Sequence, residues 1–304
     1  MGLKTDHIVK ILQLEGVGRK TAFKIWDIAK DESIKTDGDL LNFLLDSFAN
    51  KRVPGFIPFN KDQIQQAFHK GDRVLDLSKR ANIKILSIYD DGFPISLKSM
   101  RDRPIVLNFK GDYRKINQHI GIALVGTREP TKKGIKYGEF LGEYFGRHGY
   151  NVVSGLAKGC DTAAHQGCLK VGGMTSAVVA HGLHMIFPLE NYDLANKILE
   201  NGGALISEYF IGKKPEPFHF MERDRIQVGL SVATIVIQTD LSGGTMHTVQ
   251  ATLENHKPLA ALHYEQGEKS PEIRGNRKLI RERKAFLLTY ENIDDFIKLI
   301  PTNT

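Results

Sequence analysis

"IGIALVGTREPTKKGIKYGEFLGEYFGRHGYNVVSGLA", residues 120–157, contains two runs of β-branched and other apolar residues on either side of a helical pattern. The runs cover residues 120–126 and 150–157, and the segment between them has apolar residues at helical spacing and closes on a glycine. This arrangement predicts a buried strand, a helix and a second strand parallel to the first.

Four further apolar runs continue the same alternation, at residues 175–182, 204–210, 233–239 and 258–264. Nearly continuous apolar strands separated by helices are typical of a parallel sheet that is covered on both faces. The predicted fold class is therefore α/β, a Rossmann-like doubly wound parallel sheet. Ligands of such sheets bind beyond the carboxyl ends of the strands, and the glycine-containing polar turns follow the runs at that edge.

Three regions divide the chain. Residues 1–80 are helical in pattern and predict a small helical N-terminal domain. Residues 81–115 are rich in turn formers and predict a linker that leads into the core, and residues 116–304 form the Rossmann-like domain. In the first region the Gly16-Val17-Gly18 turn resembles a helix-hairpin-helix, which presents backbone N–H groups to a DNA phosphate; a plain packing hairpin is the alternative.

Composition narrows the class of partner. The 304 residues are 41% hydrophobic, and 42 Lys and Arg against 35 Asp and Glu give a net charge of +7, which favours anionic partners. No apolar run approaches the roughly 18 residues of a membrane span, and the N-terminus is too polar for a signal peptide, so we expect a cytoplasmic protein without membrane contact. Cys160 and Cys168 lack further ligands at zinc spacing, so we expect reduced thiols, no metal and no cofactor.

Two glycine turns are candidate phosphate sites. The turn Gly126-Thr127-Arg128 follows the first strand. In "SGLAKGCDTAAHQG", residues 154–167, Ser154, Gly155 and Gly159 leave the strand end open, so that backbone N–H groups can approach an anion. Asp161 is placed to cap the next helix and to pair with His165. A well-capped helix with a tight entry turn is the alternative.

A third turn, "QTDLSGGTMHT" at residues 238–248, contains Gly243 and Gly244 and opens a helix. It resembles the signature of nucleoside-monophosphate phosphoribohydrolases, but Met246 replaces the third glycine and Gln250 replaces the glutamate. Because an amide cannot supply the carboxylate, we assign no catalytic residue and expect no enzyme activity.

The segment at residues 213–231 interleaves basic and aromatic residues, among them Lys214, Phe220, Arg223 and Arg225. This mixture suits single-stranded nucleic acid, in which cations hold phosphates and rings stack on bases. Core aromatics with surface ion pairs are the alternative. The basic segment at residues 274–284 predicts a solvated helix face, with a share in DNA contact as its alternative.

Taken together, seven blocks in order resemble the bacterial DNA-processing protein A family, also called Smf. They are residues 89–112, 125–134, 152–173, 181–191, 205–209, 223–231 and 275–280, and "SGLAKGCDTAAH" is the most diagnostic stretch.

The resemblance implies a non-catalytic single-stranded DNA-binding protein that dimerises and helps load a RecA-type recombinase, in natural transformation or in general recombination. It also implies a DNA pocket on the Gly126-Thr127-Arg128 turn, on the loop after the second strand and on the basic-aromatic segment. The family residues that match are Gly126, Thr127, Arg128, Ser154, Gly155, Lys158, Gly159, Phe220, Arg223 and Arg225.

The sequence departs from the family pattern in two places. Asp224 stands where the family usually has Asn, and Gly243-Gly244-Thr245-Met246 replaces a Ser-Gly-Ser-like turn. The winged-helix-like domain that many members carry at the C-terminus is not expected here. A small-nucleotide sensor, a phosphoribohydrolase-like enzyme and a protein scaffold are the rival hypotheses.

Overall fold

The computed structural model describes residues 2–53, 58–265, 268 and 270–300. Its contacts divide the chain into two compact units. One comprises Met1–Phe93 with Pro104–Asn108, and the other comprises Pro94–Arg103 with Phe109–Thr304. The segment at residues 81–115, predicted as a linker, contains regular structure: strand β1 (Lys84–Ser87), helix α5 (Ile95–Lys98) and strand β2 (Val106–Gly111).

The smaller unit is mainly helical. Its helices are α1 (Thr5–Ile11), α2 (Arg19–Ala29), α3 (Asp37–Ala49) and α4 (Lys61–Arg80). Polar side chains set two of the starts: Thr36 Oγ1 accepts from the Asp39 N–H at 3.2 Å before α3, and Asn60 Oδ1 accepts from the Gln63 N–H at 2.9 Å before α4. Such caps satisfy N–H groups that the first helical turn leaves unpaired. The Gly16-Val17-Gly18 turn lies between α1 and α2, and a DNA contact there remains a prediction.

The larger unit alternates strands and helices along its length. They are β3 (Gly121–Val125), α6 (Lys132–Arg147), β4 (Asn151–Ser154), α7 (Cys160–Lys170), β5 (Thr175–Val178), α8 (Tyr192–Glu200), β6 (Ala204–Ser207), α9 (Pro217–Gly229), β7 (Ala233–Val236), α10 (Thr245–Glu254), β8 (Leu259–Leu262), α11 (Arg274–Arg281), β9 (Phe286–Leu288) and α12 (Ile293–Ile297). In the described part of the chain, no helix is long and apolar enough to cross a membrane.

Seven strands of this unit lie side by side in the order β6-β5-β4-β3-β7-β8-β9, and every pair among them is parallel. The order reverses at β3, where Ile122 pairs with Val152 of β4 on one side and with Ala233 of β7 on the other. The doubly wound, Rossmann-like parallel sheet is therefore confirmed. The six apolar runs of the sequence contain β3 to β8, whereas the three-residue β9 was not predicted.

Both faces of the sheet are covered. Ile122 and Leu124 of β3 belong to a buried cluster with Phe145 of α6, whereas Val125 belongs to a second cluster with Val249 of α10. Successive residues of one strand thus enter cores on opposite faces, which explains why the strands read as continuous apolar runs.

Helices α6 and α7 touch backbone to backbone. A Cβ atom added at Gly167 would lie 1.9 Å from the carbonyl oxygen of Glu139, a separation that real atoms do not reach. Glycine here lets the two helices approach until their main chains meet. This contact holds side by side the two loops that precede the helices, and both loops contribute to the site described next.

Candidate nucleic-acid interface

Loops at the carboxyl edge of the sheet enclose a cleft of about 730 Å³. Its walls come from the β3–α6 turn, the β4–α7 loop, Phe187, helix α9 with the residues just before it, and the β7–α10 loop with the start of α10. The position coincides with the reversal of strand order at β3, where open α/β sheets bind their ligands. Seven residues predicted for the site line the cleft: Gly126, Thr127, Arg128, Phe220, Arg223, Gly243 and Gly244.

A smaller hollow of about 100 Å³ shares Arg128 and Phe220 with the cleft, and Gly155 and Lys158 lie in its wall. Four predicted residues line neither space in the described part of the chain: Ser154, Gly159, Lys214 and Arg225.

Arg128 and Phe220 contact each other at the rim. The guanidinium carbon of Arg128 lies 5.0 Å from the centre of the Phe220 ring, a cation–π arrangement, and Phe187 stands 6.2 Å from the same ring. Arg128 is exposed, and no carboxylate of the described residues pairs with it. Arg128 therefore places an unpaired guanidinium against the Phe220 ring at the cleft mouth, in a wall that also contains the exposed carboxylates of Glu129 and Glu216. Phe187 was missed by the sequence analysis; its place in the block at residues 181–191 was the available signal.

The β3–α6 turn uses part of its backbone to hold itself in place. The N–H of Thr127 donates to the carbonyl of Gln238 at 2.7 Å, and the N–H of Glu129 donates to Thr127 Oγ1 at 3.2 Å. These two donors are unavailable to a ligand. The turn consequently presents the Arg128 side chain to the cleft.

Asp161 accepts hydrogen bonds from backbone N–H groups of the β4–α7 loop, where the sequence predicted a bound anion. Its Oδ2 accepts from the N–H of Gly155 at 3.1 Å and from the N–H of Ala157 at 3.2 Å. The N–H of Gly155, which the sequence predicted for an external anion, is therefore taken by the chain's own carboxyl group. Burial raises the pKa of Asp161, and attraction by Arg223 opposes that effect.

Two predictions for helix α7 are also corrected. Asp161 does not cap the helix: the N-cap is Gly159, whose φ of +80° suits glycine, and no described side chain caps it. Nor does Asp161 pair with His165. The Nδ1 of His165 lies 2.6 Å from Thr175 Oγ1, and burial lowers the pKa of His165 to about 3, so that the ring is neutral.

The arginines of α9 have separate positions. Arg223 is buried under the cleft, where Nη1 donates to the Val178 carbonyl at 2.5 Å and Nε lies 3.2 Å from the Asp224 carboxylate. Arg225 is buried away from the cleft and pairs with Glu208. The charge of Arg223 is therefore offset by Asp224 beneath the cleft, and the pair with Glu208 fixes Arg225, because a buried cation requires a partner.

The predicted lysines are both at the surface. Lys158 is exposed and pairs with Glu190, which offsets its charge, and Lys214 is exposed outside the cleft wall. Exposed pairs of this kind contribute little to stability, so Lys158 is able to exchange its partner.

Asp224 lies in the cleft wall beside Arg223. Burial raises the pKa of its carboxyl to about 6, and the neighbouring Arg223 charge and a hydrogen bond from Thr248 oppose that rise. At neutral pH this carboxylate places a negative charge in the cleft. Its protonation state thus changes the field that a phosphate would meet.

The β7–α10 loop closes the cleft. Gly244 is the N-cap of α10, no described side chain caps the helix, and both Gly244 and Thr245 line the cleft. The N–H groups of Met246 and His247 already donate to the carbonyls of Gly243 and Gly244 at 2.9 and 3.0 Å, so the helix start contributes the positive end of its dipole to the cleft. Gln250 is exposed on α10 outside the cleft wall and donates to Glu254 at 2.8 Å. Among the described residues no group of three His, Cys, Asp or Glu could hold a metal ion.

Known proteins match both the sequence and the fold. The family profile of DNA recombination-mediator protein A matches residues 84–301. The DNA processing protein DprA of Bacillus subtilis is 36% identical over 202 residues, which are 66% of this chain and 68% of that relative. For another curated relative the match spans only 48% of its length.

Two solved structures agree. The DNA processing protein A of Streptococcus pneumoniae matches with a TM-score of 0.80 and 27% identity over the whole of both chains. A structure that describes the single-stranded DNA binding mode of the protein from Helicobacter pylori matches with a TM-score of 0.64 and 26% identity over 72% of this chain and 97% of that one. The resemblance drawn from the sequence is therefore confirmed, and the chain belongs to the DNA recombination-mediator protein A family.

Proposed function

We propose that this protein binds single-stranded DNA in the cleft at the carboxyl edge of its sheet and acts as a recombination mediator. The observation that carries the proposal is the exposed Arg128, which has no ion pair among the described residues and makes a cation–π contact with Phe220 at the cleft mouth. The relative from Helicobacter pylori, whose single-stranded DNA binding mode has been described, supports the same conclusion.

The chemistry of the cleft favours a single strand over a duplex. Phe187 and Phe220 present ring surface at the rim, and bases stack on rings only when they are free of a partner strand. Arg128 supplies the side-chain donors for a phosphate, and the positive end of the α10 dipole borders the same cleft. The rings contact base faces and the donors contact phosphates, and neither kind of contact distinguishes one base from another. We therefore propose that the protein has little preference among base sequences.

The wider role extends this proposal. The bound strand would be protected and passed to a RecA-type recombinase, by a homodimer in the cytoplasm, in natural transformation or in general recombination. Membership of the mediator family supports this role.

On this proposal the site binds DNA and catalyses no reaction. Gln250, at the position of the phosphoribohydrolase glutamate, is an amide outside the cleft wall, and Glu208 is engaged by Arg225. Incubation with nucleoside monophosphates should release no free base. Base release that disappears in Glu208→Gln or Glu254→Gln would replace our proposal with the enzymatic one.

Binding to a fluorescent oligonucleotide should depend steeply on salt. Each neutralised phosphate of a single strand contributes a log–log slope of about −0.7, so three contacts predict a slope near −2. We expect fluorescence anisotropy across a salt series to give this slope for the single strand and weaker binding for the matched duplex. Equal affinity for the two forms, or a slope near zero, would contradict the proposal.

Affinity should also rise as the pH falls. Asp224, with a pKa of about 6, is ionised at pH 8 and mostly neutral at pH 5, so acidification removes a negative charge that repels phosphate. We expect up to about 10-fold tighter binding over this range, limited by solvent screening. Titration of the Asp224→Asn variant provides the control: it leaves His247, which also lines the cleft, unchanged. An equally large pH effect in this variant would exclude Asp224 as its source.

A further inference from the structure

A second hollow lies next to the cleft, on the other side of the β7–α10 loop. Its volume is about 520 Å³, and its wall belongs to α11, to the end of β8 and to Leu241 of the loop. Four cationic residues line it: Arg274, Arg277, Lys278 and Arg281. We refer to these four residues, together with Leu241 and Leu287, as the basic hollow.

Most of this charge is uncompensated. Arg274 is neutralised, since Nε and Nη2 bond both oxygens of Asp240 at 2.9 and 2.7 Å. Arg277 donates to the backbone carbonyl of Glu265, and this neutral acceptor does not offset the charge of the guanidinium. The side chains of Lys278 and Arg281 are exposed, and neither forms a hydrogen bond or an ion pair with another described side chain. The carboxylate of Glu282 pairs with Lys284, which lowers its pKa, and both Lys278 and Arg281 attract it and help to lower that pKa. Because this carboxylate is already paired, a net positive surface remains for a ligand.

The basic hollow and the cleft have a common wall. Asp240 lines the cleft and also holds Arg274, while its neighbour Leu241 lines the hollow. The loop is tied to α11 through two hydrogen bonds: the N–H of Gly275 donates to the Thr239 carbonyl at 2.8 Å, and the N–H of Thr239 donates to the Asn276 side chain at 2.9 Å. A polymer that leaves the cleft over Leu241 thus arrives directly at the three cations.

We propose that the basic hollow is a second contact site for the same DNA strand, which holds phosphates of the nucleotides beyond those in the cleft. The exposed Leu241 and Leu287 give an apolar surface for a base or sugar between the cations. A second copy of the chain fits less well, because pairing this surface with itself would oppose like charges. The inference rests on the proposed function, since it requires a strand in the cleft.

Oligonucleotides of two lengths test the inference on the intact chain. One oligothymidylate of about 3 nucleotides matches the roughly three phosphate contacts expected in the cleft, and one of about 20 nucleotides exceeds the usual footprint of a single-strand site. The test variant is Lys278→Ala with Arg281→Ala, two exposed residues whose loss leaves no buried partner. The control variant is Arg147→Ala with Lys170→Ala, which removes the same charge at the far ends of α6 and α7.

We expect the test variant to bind the long oligonucleotide about 10-fold more weakly at low salt, with a salt slope reduced by about 1.4, and to bind the short one as the wild type does. The control variant should match the wild type for both lengths, and all variants should have the same melting temperature. Equal loss for both lengths, or no loss for the long one, would overturn the inference while the cleft proposal stands.

Two further outcomes separate the possibilities. If the wild type binds neither oligonucleotide, the proposed function itself fails. If the test variant changes the sedimentation coefficient of the protein and leaves long-strand affinity intact, the hollow is an interface between copies of the chain, and the inference is overturned.

Discussion

Gly167→Ala should destabilise the larger unit by about 2–3 kcal/mol, the upper part of the roughly 1–3 kcal/mol range for forcing extra atoms into a packed core. The added Cβ would lie 1.9 Å from the Glu139 carbonyl oxygen and 2.7 Å from its carbonyl carbon, so that α6 and α7 have to separate. Intrinsic helix propensity predicts the opposite sign, because alanine stabilises a helix interior by about 1 kcal/mol relative to glycine. The sign of the change in stability therefore shows whether the contact between α6 and α7 or the helix propensity of alanine dominates.

Thermal unfolding followed by circular dichroism measures this effect, and we expect the midpoint to fall by about 4–12 °C. Gly244→Ala is the matched control. Gly244 has a φ of −54° and a Cβ placed there meets no atom within 4 Å, so its stability should change by less than about 0.5 kcal/mol. A midpoint for Gly167→Ala at or above that of the wild type would contradict the backbone contact between the two helices.

Arg128→Ala should weaken single-strand binding more than any other removal of a surface cation. A charge-assisted hydrogen bond to phosphate contributes about 1.5–3 kcal/mol, which is roughly a 10- to 100-fold change in affinity. Arg128 carries no ion pair in the described chain that would lessen this loss, in contrast to Lys158 with Glu190. The loss should be the same for strands of different base sequence, because a phosphate contact carries no base information.

Phe220→Ala tests the stacking half of the same site, with an expected loss of about 1–3 kcal/mol per stacked base. Since Arg128 and Phe220 touch, the double variant should lose less than the sum of the two single losses. Arg147→Ala is the control: this arginine is exposed, pairs with Glu143 and lies at the end of α6 that is remote from the cleft. If Arg128→Ala and Arg147→Ala bind alike, the cleft is not the DNA site.

Much of the fold follows from local patterns. The apolar runs predict β3 to β8 because each strand is buried on both faces and must be apolar at every position. Strand β9 could not be predicted in this way. Phe286 is half-buried, Leu287 is exposed and only Leu288 is buried, so its three residues do not form a recognisable apolar run. The two short strands within residues 81–115 were not predicted either, because turn-forming residues dominate that segment.

The sequence predicted the position of the candidate site better than the roles of its individual residues. Glycine turns at strand ends mark the carboxyl edge, and the cleft lies there. The sequence could not show that Asp161 accepts hydrogen bonds from the amides of its own loop. An aspartate that bonds to the loop before a helix and one that caps the helix occupy similar positions in the sequence. Phe187 was missed because it comes from a different loop and meets Phe220 only in the folded chain.

The sequence by itself determined the parallel sheet, its polar edge and the family, because these depend on patterns that neighbouring residues carry. Only the tertiary structure decided which charges remain available to a ligand. Arg225 and Arg274 read as free cations in the sequence, yet Glu208 and Asp240, distant in the chain, neutralise them. Burial of Arg225 demands a partner, whereas Arg274 is exposed and meets Asp240 because the fold brings α11 against the β7–α10 loop. Arg128, Lys278 and Arg281 lack such partners among the described residues, which leaves their charges for an anion.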